Sequence, residues 1–172
     1  MFGGCDGYDI TEKDPFRNSK MGSSPTEINN SAYYSLKKAI DVCSDADFIE
    51  YDVLTAPGIT VDSLNTQMIN ACEDRADALA IVDIRGGYQP SHERSESETD
   101  TSILGSVDTT VTNLQSMNIN SSYACTFYPW VKIRDTSSDA LLYVPPSVVA
   151  LGTLSSAQRK SAVWFAPAGL RS

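Results

Sequence analysis

Ala78-Leu-Ala-Ile-Val-Asp-Ile84 is apolar at every position but one. A run this short and this uniformly apolar fits a strand covered on both faces, in the middle of a parallel sheet. Its surroundings alternate in period. Ala32, Leu36, Ala39, Ile40 and Cys43 recur at three- and four-residue steps and predict a helix beginning at about Thr26. Phe48–Leu54 alternates like a strand and stops at the turn Ala56-Pro-Gly58. Thr60 is the expected N-cap of a second helix, with Val61, Leu64, Met68 and Cys72 on one face. After the apolar run come Arg85-Gly-Gly87 and a polar loop to about Asp100. A third helix carries Ile103, Leu104, Val107, Val111, Leu114 and Met117 on one side, and Ser122–Tyr128 reads as a strand. Strands separated by helices of this length require crossover connections. The expected class is therefore α/β, a largely parallel or mixed sheet with helices packed on it.

Beyond Trp130 the pattern changes. Val131–Asp135 and Ala140–Val144, bridged by residues 136–139, predict a C-terminal β-hairpin, and Ser147–Lys160 a final helix weakened by Gly152. Residues 1–25 scatter Gly3, Gly4, Gly7, Gly22, Pro15 and Pro25 among charges and are expected to be irregular. The chain of 172 residues thus divides into an irregular segment, 1–25, and one compact α/β core, 26–172.

The formal charge of −9 opposes sequence-independent nucleic-acid binding, which needs Lys and Arg on phosphates. No apolar run approaches the ~18–20 residues that cross a bilayer, so no membrane association is expected. The first residues lack the basic and apolar regions of a secretory signal, which implies synthesis in a cytoplasm. Cys5, Cys43, Cys72 and Cys125 form no CxxC pair and there is one His, so no zinc site is expected and the thiols read as small buried hydrophobes.

Five groupings are candidate sites. Ser91-His92-Glu93 with Asp100 offers a nucleophile and a base, but in a charged loop without a group to orient the imidazole. Arg85-Gly-Gly87 follows a strand, yet lacks GxGxxG spacing and a helix start, and reads as a tight turn. Asp6, Asp9, Glu12 and Asp14 do not match a calcium loop. Asp45 and Asp47 mark a turn at a helix end. The large aromatics Phe127, Tyr128, Trp130, Trp164 and Phe165 suit core or interface packing better than a ligand pocket. No catalytic, cofactor or metal residue is therefore assigned.

The last third carries three proline-broken apolar blocks. These are Tyr123-Ala-Cys-Thr-Phe-Tyr-Pro-Trp130, Leu141-Leu-Tyr-Val-Pro-Pro-Ser147 and Trp164-Phe-Ala-Pro-Ala-Gly169. In this order and spacing they resemble the core signature of contractile phage tail sheath proteins. Phe2-Gly-Gly-Cys-Asp-Gly-Tyr-Asp9 resembles a block that precedes the first α/β elements of that family. The matching positions are Tyr128, Pro129, Trp130, Pro145, Pro146, Ser147, Ala166, Pro167, Ala168 and Gly169. Between these blocks only the order of elements agrees.

The resemblance implies a structural protein of the virion, assembled in the host cytoplasm. Whole sheath subunits stack as hexameric rings around an inner tube. On a baseplate signal they rearrange, and the shortening sleeve drives the tube through the host envelope without consuming nucleotide. Two departures stand out. Val148-Val-Ala-Leu-Gly-Thr-Leu154 replaces the family's small-residue stretch and Asp-containing turn. The family's N- and C-terminal arms have no counterpart, so the chain is expected to be the α/β portion of a longer subunit. Two other classes remain open at this point: a Rossmann-like enzyme using the strand ends near Arg85-Gly-Gly87, and a non-enzymatic scaffold or adaptor.

Overall fold

The computed structural model describes residues 31–84, 107–134, 136, 139, 141–162 and 164–169. The element order is α1 (Ser31–Cys43), β1 (Val53–Thr55), α2 (Asp62–Arg75), β2 (Leu79–Val82), α3 (Val107–Ser116), β3 (Ala124–Thr126), β4 (Val131–Arg134), β5 (Leu141–Val144) and α4 (Pro146–Lys160). Strands β1, β2 and β3 form a parallel sheet in that order, and β4 and β5 an antiparallel hairpin. The fold is α/β, with the apolar run of residues 78–84 supplying the central strand.

Pairing in register puts Leu54, Ala80 and Ala124 on one face of the sheet and Thr55, Ile81 and Cys125 on the other. Helices α1 and α2 cover the first face. Ala32, Ile40, Leu64, Met68, Ile69 and Cys72 form one buried cluster with Ala80 and Val82, and Leu54 and Ala124 pack against it half-buried. Ile81 on the opposite face is fully buried as well. The central strand is thus covered on both sides, which is why it tolerates no alternation.

The structure departs from five expectations. Phe48–Leu54 is not one strand: the strand is only Val53–Thr55, and Phe48 lies in a turn, 74% exposed. The cause is distant in sequence. Nη1 of Arg75, at the end of α2, donates to the carbonyls of Cys43 (3.1 Å), Asp45 (3.3 Å) and Ile49 (2.8 Å) and fixes that stretch as a turn. The N-cap of α2 is Val61, not Thr60; Val61 has extended backbone and a buried side chain, and makes no side-chain cap bond. Ala39 of α1 is exposed, so the buried stripe there is Ala32 and Ile40. On α3 the stripe Val107, Val111 and Leu114 faces solvent at 61%, 45% and 36% exposure, while Thr110 is the buried residue. Strand β3 is also shorter than Ser122–Tyr128. The hairpin and the final helix lie where the sequence predicts them, Gly152 included.

Helix α2 ends at Ala76, which adopts the left-handed conformation (φ 57°) and donates its N–H to Cys72 O at 2.9 Å. A Cβ disfavours this conformation by roughly 1–2 kcal/mol, whereas glycine enters it freely. Ala76→Gly is therefore expected to stabilise the fold by about 1 kcal/mol in urea denaturation; an unchanged or lower midpoint would contradict this account of the helix end.

Candidate functional site

The carboxyl ends of parallel strands are where open α/β sheets place ligands. Here that position is held by Asp83, which follows β2 and is buried. Its Oδ2 accepts from the Gly58 amide at 2.9 Å and from the Ser147 hydroxyl at 2.7 Å, and its Oδ1 from the Ser147 amide at 3.2 Å. Its carbonyl accepts from Asn65 Nδ2 at 2.9 Å. Four segments meet at one residue: the β1–α2 turn, the first turn of α2, the end of β2 and the start of α4.

Each partner is delivered by a local rule. Gly58 has φ +83°, a conformation that glycine reaches without cost, and the turn closes through Ile59 N–H to Ala56 O at 3.1 Å. Pro145 is extended (φ −56°, ψ 139°), and Pro146 occupies a first-turn position where a missing N–H costs nothing. The residue at the N-cap of α4 is thus a proline without a side-chain acceptor. Asp83 provides that acceptor from 64 residues away, and its negative charge sits at the positive end of the helix.

Burial pushes the Asp83 carboxyl above its usual range. The Gly58 amide, the Ser147 hydroxyl and the Ser147 amide each pull it back. Burial also raises Cys72, Cys125 and Tyr51, which keeps the thiols protonated and poorly nucleophilic. Thr55 Oγ1, Thr126 Oγ1, Asn65 Oδ1 and Trp130 Nε1 are buried without a hydrogen-bond partner; the first two belong to the last residues of β1 and β3.

The motif positions do not gather at one place. Pro146 and Ser147 are buried, with Ser147 on Asp83, and Trp130 is buried after a cis Tyr128–Pro129 bond. Tyr128 and Pro129 are exposed, and Pro145 is half-buried. Ala166, Ala168 and Gly169 are exposed, the last with φ +143°. Pro167 forms one wall of a groove of about 430 Å³ along α4. Asp45 accepts from the Asp47 amide at 3.0 Å, the turn expected there. His92, Asp100, Arg85-Gly-Gly87, Cys5 and the acidic residues 6–14 lie outside the described residues. Among the described residues no three His, Cys, Asp or Glu side chains come together to hold a metal, and no helix is long and apolar enough to cross a membrane.

Asp83, Gly58 and Asn65 were not singled out in the sequence. The available signal was Asp83 itself, the single charge in an otherwise apolar run. No protein-family model, curated protein or solved structure matches the chain.

Because its carboxyl is raised, Asp83 keeps its proton in the folded chain at pH values where the unfolded chain has lost it. Its contribution is full below the unfolded value of about 3.9 and falls away as pH rises through the folded value. Ser147→Ala removes a donor to the carboxylate, so it is expected to move the midpoint higher still and to widen this window. Carbon-detected NMR titration of the Asp83 carboxyl in both chains checks this; a lower midpoint in Ser147→Ala would be incompatible with the assigned bonds.

Proposed function

We propose that the chain is a structural subunit of a contractile tail sheath, working through its contacts rather than by catalysis. The carrying observation is that one of its three signature blocks, Val144-Pro-Pro-Ser147, forms the joint between the sheet and the C-terminal hairpin and helix, through Ser147 on Asp83. A second block contributes the buried Trp130 at the start of the hairpin. Residues recognised in the sequence as a signature thus have a mechanical use in the fold. They stiffen the exits from the sheet.

The state of Asp83 favours this reading over the enzymatic one. An acid or base at the strand ends needs a lone pair or proton aimed at substrate. Both oxygens of Asp83 are instead engaged by donors from the protein's own chain. The surface adds support, because Trp164 and Phe48 are 86% and 74% exposed. Large apolar side chains displayed to solvent suit a subunit that meets neighbours on several faces.

On this reading the work of contraction comes from the difference in interface free energy between two packings of nearly rigid bodies. The partners are further sheath subunits in hexameric rings, the tail tube and the baseplate, and the protein resides in the virion. Neither nucleic acid nor membrane is a partner, and no cofactor is required.

Antibodies raised against residues 31–84 are expected to label particle tails along their length, in extended and shortened forms, under gold-labelling electron microscopy. Recovery of the chain only as free protein, absent from gradient-purified particles, would overturn the proposal.

A further inference from the structure

The turn that follows α1 is held by several hydrogen bonds. Arg75 donates to the Cys43, Asp45 and Ile49 carbonyls, and the Cys43 carbonyl also accepts from the Tyr51 hydroxyl at 2.9 Å. The Phe48 and Ile49 amides donate to Asp45 O at 3.3 and 3.2 Å. Arg75 is itself fixed, by two 2.9 Å bonds to Asp77 and by stacking 4.2 Å from the centre of the Tyr51 ring. What this scaffold presents is Phe48, flanked by the exposed carboxylates of Asp45 and Asp47. The backbone that carries this ring is held by these bonds, so docking would cost little further backbone freedom. Aromatic anchors of this kind carry interfaces.

The same chain carries a matching recess. The groove along α4 is floored by the buried Ala157, walled by Val149 and Pro167, and opened by Gly152, where an added Cβ would meet nothing within 4 Å. Its far end is basic, with Lys160 lining the groove and Arg159 beside it at the end of α4. The turn is the electrical opposite: between residues 41 and 52 the sequence has Asp41, Asp45, Asp47, Glu50 and Asp52 and no Lys or Arg.

We propose that Phe48 of one copy docks into the α4 groove of a second copy, with Asp45 and Asp47 against Lys160 and Arg159. The contact joins two different patches, so it is heterologous and propagates head to tail. It rests on the reading of the chain as one subunit among many copies, and it names which faces meet. Only one small groove and a few screened charges hold it, so it is weak for an isolated pair and weakened further by salt.

Two exposed substitutions separate the halves. Phe48→Ser removes the ring and leaves the Arg75 bonds, which go to backbone carbonyls. Gly152→Leu fills the groove with a better helix former. In sedimentation velocity at low salt the wild-type chain is expected to associate as concentration rises, and each variant alone to associate at least tenfold more weakly. An equimolar mixture of the two is expected to form a 1:1 dimer and nothing longer, since one supplies the groove and the other the ring. A mixture that stays monomeric, a wild type that stays monomeric, or a single variant that associates like the wild type would each overturn the contact. None of these results bears on the sleeve reading, which particle labelling decides.

Discussion

The attachment of α4 to the sheet rests on one buried carboxylate. Asp83 fastens the start of α4 to the end of the central strand with two bonds from Ser147, and ties both to the β1–α2 turn through Gly58. A buried ionised group is seldom a net source of stability, because desolvation opposes the gain from its partners. Its effect here is geometric. Three donors converging on two oxygens admit one arrangement of the segments, and a shift of about 1 Å in α4 would leave a charge buried and short of partners.

A second joint works on the opposite side of the fold by different means. Arg75 gathers the carbonyls at the end of α1 and of the following turn, and Asp77, drawn below the usual carboxylate range by its bonds to Arg75, locks the guanidinium. A cation collecting carbonyls at a helix C-terminus complements an anion collecting amides at a helix N-terminus. Both use a side chain from one element to set the conformation of a segment remote in sequence. The buried cluster of α1, α2 and β2 lies between them.

This division explains what was legible in the sequence. The central strand, the apolar face of α2 and the hairpin could be read because their signals are local: an unbroken apolar run, a 3.6-residue period, two short arms around a polar bridge. The alternation of Phe48–Leu54 is real but is overruled by a guanidinium 26 residues beyond Ile49. Thr60 looked like a cap, yet burial of Val61 moves the helix start one residue on. The period on α3 places Val107, Val111 and Leu114 on one side, but periodicity alone does not say whether that side is covered, and it faces solvent. The role of Asp83 is hidden in the sequence for a similar reason. Its partners come from turns 25 and 64 residues away, and only the folded chain brings them together.

On the proposed reading the chain works by exchanging packings, which needs a body that does not deform, since compliance inside the subunit would absorb the free-energy difference between the two states. Hydrophobic burial alone resists this poorly, because apolar contacts are non-directional and slide at small cost. Directional bonds to buried charged groups resist it well, since leaving them half-made carries a steep penalty. The two joints lie where sliding would begin, at the end of α1 and the start of α4. One holds the turn that displays Phe48, and the other holds the helix that forms the groove. On the proposed reading, the placement of both contact faces then follows from the same two side chains, Arg75 and Asp83.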